Sequence, residues 1–152
     1  MEISQKIQML TNKSYFTVEE LCKSDTAKKL GIDNTPPADI VEHLKELIVF
    51  LNPIREKWGS AIKVTSGYRC QMLNEAVSGS VNSAHLFGFA VDIYPKKGTI
   101  EDLYKFILNY LRENNLKWDQ LIFEKSKTSK WIHFGLKSKY GKQRQQYFNL
   151  DV

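Results

Sequence analysis

The stretch Ser83-Ala84-His85-Leu86-Phe87-Gly88-Phe89-Ala90-Val91-Asp92-Ile93 decides the fold. Phe89, Val91 and Ile93 alternate with Ala90 and Asp92, the period-two pattern of a half-buried strand. Ahead of it, residues 77–84 (VSGSVNSA) have the Ser, Gly and Asn content of a loop. If the three large apolar side chains enter the core, Ala90 and Asp92 face the other way. A carboxylate in mid-strand between apolar neighbours needs a partner, because an unpaired buried charge is very costly. A metal ion held jointly with His85 would supply one.

A second strand pattern follows at Trp131-Ile132-His133-Phe134-Gly135-Leu136. With Ile132, Phe134 and Leu136 inward, Trp131, His133 and Gly135 occupy the opposite, cleft-lining face. Leu121–Phe123 reads as the strand before it, joined through the polar residues 125–130. A turn centred on Thr128-Ser129 would pair Lys127 with Lys130, Ser126 with Trp131 and Glu124 with His133. Directly paired residues share a face, so this register sets Glu124 beside His133.

Elsewhere the periodicity is helical. Thr17 and Glu20 form a capping box that opens a helix through Leu21 to Leu30, stopped by Gly31. Pro37 suits the first turn of the next helix. There Ile40, Val41, Leu44, Leu47, Ile48 and Leu51 make one apolar stripe running to about Trp58, with Pro53 expected to kink or split it. His43 lies off that stripe and reads as a surface histidine. Ala61–Thr65 is β-prone. Tyr68–Val77 is expected to be a brief helix with Leu73 and Val77 inward. Thr99 caps a helix carrying Leu103, Phe106, Ile107, Tyr110 and Leu111 on one face. Helices and strands do not alternate strictly, so the expected fold is α+β, several helices packed on a small antiparallel sheet.

Composition narrows the function classes. The 152 residues fit one domain, 1–152, ending in a basic C-terminal segment, 137–152. Hydrophobic residues at 42% and charged residues at 26% exclude wholesale disorder and rod-like chains. Cys22 and Cys70 are too few for a disulfide framework or a thiolate-only zinc site, so a metal here must rely on histidine and carboxylate. No segment approaches the roughly 20 apolar residues of a membrane span, and membrane insertion is not expected. The N-terminal residues lack the apolar core and cleavage site of a secretory signal, so the chain is expected in the cytoplasm at synthesis. The net charge of +5 is mild. Lys137, Lys139, Lys142 and Arg144, interleaved with Tyr140 and Tyr147, could meet a polyanion, but a solvated face is the simpler reading; nucleic acid is not the expected partner.

Two imidazoles and one carboxylate form the ligand set of many catalytic zinc sites, whose remaining position holds water. On spacing alone the set is a weak signal, and two satisfied structural histidines are the plainer reading. A Cys70–His dyad has nothing to bring it together.

Ser83-x-His85-x-x-Gly88-x-Ala90-x-Asp92 with Trp131-x-His133 resembles the zinc D-Ala-D-Ala carboxypeptidase and L-Ala-D-Glu peptidase family. That family shares its metal site with Hedgehog-type domains, and the likeness is to its compact branch of phage and bacterial enzymes. It extends through Pro53-Ile54-Arg55-Glu56, Trp58-Gly59, Val64-Thr65-Ser66-Gly67-Tyr68-Arg69, Leu73-Asn74 and Asp119-Gln120-Leu121-Ile122-Phe123-Glu124, covering about Phe16 to Leu136. The resemblance implies zinc held by His85, Asp92 and His133, with Arg69 contacting substrate and the developing oxyanion. It also implies a role for Ser83 toward substrate or the ligand loop, and a monomer acting on peptidoglycan stem peptides. Many members carry the catalytic acid three residues before the last histidine, where this chain has Lys130. Either Glu124 takes that role, or the chain is an inactive zinc-bearing module that binds cell wall or a protein. Without a signal, the protein would reach the wall on lysis or in a phage particle.

Overall fold

A computed structural model describes residues 13–152, so the signal-sequence reading of the first residues lies outside it. In chain order the elements are α1 (Val18–Cys22), α2 (Asp25–Leu30), α3 (Ala38–Trp58), β1 (Ile62–Ser66), α4 (Gln71–Ala76), a 3-10 turn (Ala84–Phe87), β2 (Ala90–Pro95), α5 (Ile100–Glu113), β3 (Gln120–Lys125), β4 (Lys130–Gly135) and β5 (Gln146–Asp151). The strands form one sheet in the order β1-β2-β4-β3-β5. The α+β expectation holds, with one correction: the sheet is mixed, because β5 runs parallel to β3. β5 falls inside the segment read as a basic tail. That run of cations is also divided, since Lys137 pairs with Glu46 at 2.7 Å and Arg144 with Asp119 at 2.8 Å.

One face of the sheet is the core. Val91, Ile93, Leu121, Ile132 and Phe134 pack there against Leu44, Leu47, Phe50, Leu51 and Ile54 of α3 and Leu103, Ile107 and Leu111 of α5, with Phe50 stacked on Phe134 at 5.5 Å. Burying each such side chain stabilises the fold by about 1.5–3 kcal/mol. Strand β2 is buried on both faces rather than half-buried, since Ala90 and Asp92 are covered as well.

Local chemistry corrects other expectations. Residues 17–31 form two helices, because Ser24 accepts from Ala27 N and caps a second one; Thr17 caps the first and Gly31 ends the second. α3 runs through Pro53 as a single element, its apolar stripe held by the core. The 68–77 helix starts only at Gln71, and Val77 is exposed while Leu73 is buried. His43 is half-buried, its Nδ1 2.8 Å from the Phe87 carbonyl and its ring stacked on Phe89.

Candidate active site

The site occupies the sheet face opposite α3 and α5. Asp92 on β2 and His133 on β4 are direct partners in the antiparallel ladder, so both side chains leave the same face. His85 comes from the 3-10 turn, whose N-terminus Ser83 caps by accepting from His85 N at 3.2 Å. Ser83 therefore shapes the ligand loop through its side-chain hydroxyl. One ligand-capable atom from each of His85, Asp92 and His133 lies within 4.8 Å of the others.

The protonation pattern follows from the neighbours. His85 Nδ1 lies 2.7 Å from the Gly67 carbonyl, which can only accept, so Nδ1 carries the proton. Burial pushes the His85 pKa down, against the pull of Asp92, and the ring is neutral with its lone pair on Nε2. That atom is buried and has no hydrogen-bond partner among the described residues, although Asp92 Oδ1 is 3.3 Å away. Burial alone would raise the Asp92 pKa, but the positive charge His85 and His133 carry when protonated, and their hydrogen bonds to the carboxylate in that form, put it well below the usual carboxylate range. A neutral imidazole lone pair thus faces an ionised carboxylate, with His133 Nδ1 3.2 Å from the same oxygen. Three converging electron-rich atoms in a buried site suit a divalent cation, and the donor set is that of zinc.

Arg69 lies beside this cluster. Its Nη2 is 3.5 Å from Asp92 Oδ2, while its Nε donates to Ser66 Oγ and its Nη1 to Asn74 Oδ1. Its backbone N–H donates to the His85 carbonyl, tying its loop to the ligand turn. Asn74, buried and also donating to the Ser80 carbonyl at 2.9 Å, therefore holds both the guanidinium and the 77–83 loop. Sequence reading noted Asn74 only within the family resemblance; its burial is visible only in three dimensions.

The hairpin register differs from the expected one. Ile122, not Glu124, opposes His133; Glu124 opposes Trp131, and Lys125 opposes Lys130. The shift is two residues, which preserves side-chain parity, so Glu124 remains on the His133 face. Trp131 Nε1 donates to its carboxylate. Burial and the nearby Asp92 push the Glu124 pKa up, while His133, Trp131 and Arg69 oppose the rise. Lys130 leaves the opposite face and donates to Glu101 of α5 at 3.0 Å. The position three residues before His133 therefore does not address the site.

A His/Asp/His cluster that could hold a metal ion, with an acid and an arginine alongside, is the kind of centre a metallopeptidase uses. Residues 14–134 match the family model described as Peptidase M15, and the chain belongs to that family of zinc-dependent peptidases. No curated protein matches the chain significantly. No helix among the described residues is long and apolar enough to cross a membrane.

Proposed function

We propose that the protein is a zinc-dependent hydrolase of peptidoglycan stem peptides, acting as a carboxypeptidase or endopeptidase. His85 Nε2, Asp92 and His133 would hold the ion, which when bound makes a water molecule acidic enough to attack at neutral pH. Glu124 accepts the proton of the attacking water and returns it to the leaving amine. Partial burial beside Asp92 suits it to both steps by raising its proton affinity toward working pH. Arg69, fixed on one edge by Ser66 and Asn74, directs its remaining N–H groups at a substrate carboxylate or developing oxyanion. The observation that carries the reading is Glu124 on the His133 face while Lys130 lies on the other.

The assay is release of new amino termini from purified peptidoglycan by the zinc-loaded protein. Glu124→Gln should lower turnover by about 10²–10⁴-fold with zinc still bound. Full activity in that variant would place the base elsewhere. No zinc-dependent release by wild-type protein with zinc demonstrably bound would overturn the peptidase reading in favour of an inactive zinc module.

A further inference from the structure

The ladder registers place Ser66, Asp92, His133, Ile122 and Phe148 in one row across all five strands. The neighbouring rows on this face are Gly135-Gln120-Gln146 and Trp131-Glu124-Leu150. The site face therefore continues past Glu124 onto β5, which lies beyond the 14–134 family match. There Phe148 and Leu150 are each 41% exposed, an apolar surface that the core does not use. Gln120 Nε2 donates to Gln146 Oε1 at 3.0 Å, which leaves Gln120 Oε1 and Gln146 Nε2 without a partner among the described residues.

We propose that this shelf, Phe148 and Leu150 flanked by the Gln120–Gln146 amide pair, takes an N-acetylated sugar of the glycan from which a stem peptide hangs. The inference rests on the stem-peptide reading above. An exposed phenyl ring offers a flat apolar face to the C–H face of a sugar, and the free amide donor and acceptor complement an acetamido group. Gln120, Gln146, Phe148 and Leu150 are all uncharged, which fits a neutral ring better than an ionic side chain. Adjacent strands are about 4.8 Å apart, so Phe148 stands roughly 10 Å from His133 along the row. About three extended residues span that distance at about 3.3 Å each. A sugar on the shelf thus leaves the attached peptide over the His/Asp/His cluster.

The test is titration of the N-acetylglucosaminyl–N-acetylmuramic acid disaccharide, free of peptide, followed by NMR of the Gln side-chain amides and the Phe148 ring. Saturable shifts at Gln120, Gln146 and Phe148 are expected. Phe148→Leu should weaken binding at least tenfold, because it keeps the apolar bulk but loses the ring; Phe148→Tyr should retain it. Absence of saturable shifts, or binding undiminished in Phe148→Leu, would overturn the sugar site. So would sedimentation showing a dimer that Phe148→Leu dissolves, since the shelf would then belong to a second copy. Sugar binding without peptide cleavage would refute the peptidase reading alone, and cleavage without sugar binding would refute only the shelf.

Discussion

Replacing Gly67 with alanine separates the support of the metal site from the chemistry it supports. Gly67 is buried where β1 leaves the sheet, and a Cβ there would stand 2.1 Å from the Leu21 carbonyl oxygen and 3.0 Å from Leu21 Cα. Carbon and carbonyl oxygen come no closer than about 3.3 Å even in favourable contacts, so the two segments must part by roughly 1.2 Å. The 2.7 Å hydrogen bond from Tyr68 N to Leu21 O would be lost. With both groups buried, each unsatisfied partner costs about 1–3 kcal/mol, and a loss of about 2–6 kcal/mol is expected. The same displacement moves the Gly67 carbonyl that orients His85. Loss of such a supporting contact weakens metal binding by about 10–100-fold. Urea unfolding of the metal-free protein and zinc competition against a chromophoric chelator measure the two effects. Gly141→Ala is the control: its φ of +73° is unfavourable for alanine, but nothing lies within 4 Å. It should cost about 1 kcal/mol and leave zinc affinity unchanged. Gly67→Ala matching the control in both measurements would refute the reasoning.

Other expectations follow from particular contacts. Asp119 is buried and accepts from Arg144 N, Nε and Nη2 at 2.8–3.0 Å, anchoring the chain that leads into β5. Asp119→Ala should cost about 1–3 kcal/mol and expose the C-terminal segment to limited proteolysis under conditions that leave the wild-type segment uncut. Phe134→Ala empties a fully buried site under Phe50 and should cost about 3–5 kcal/mol in urea unfolding. Burial, then Glu19, pushes the Cys22 thiol from 9.0 up to about 11. The fold favours its protonated form, so any stabilisation from that shift is present below pH 9 and lost as pH rises through 11. Iodoacetamide labelling of Cys22, followed by peptide mass, should climb across that window; a midpoint near 9 would contradict the burial.

Alternation made the faces of Asp92 and His133 legible, but only the family resemblance joined them with His85 into one ligand set. Alternation at Phe89–Ile93 and at Trp131–Leu136 sets which side chains share a face, and two central strands then bring the faces together. The side of Glu124 was legible by parity, but its register was not. The turn is centred one position earlier, with Ser126 Oγ accepting from Thr128 N and Ser129 N. β5 was hidden for a different reason. Tyr147, Phe148 and Leu150 sit among cations and gain their place through Asp119 and a parallel pairing with β3, both distant in sequence. Ser24 was overlooked because a serine within an amphipathic run gives no sign of becoming a cap until its hydroxyl finds Ala27 N.

β5 also changes which backbone is at risk of opening. Without it, β3 would be the sheet's edge, and edge hydrogen bonds are where sheets open most readily. Parallel pairing from Gln120–Gln146 to Lys125–Asp151 moves that fraying boundary outward by one strand. Glu124 consequently rides on an interior strand whose amides should exchange slowly with solvent. The opening motions are left to a strand that carries none of the groups assigned to the reaction.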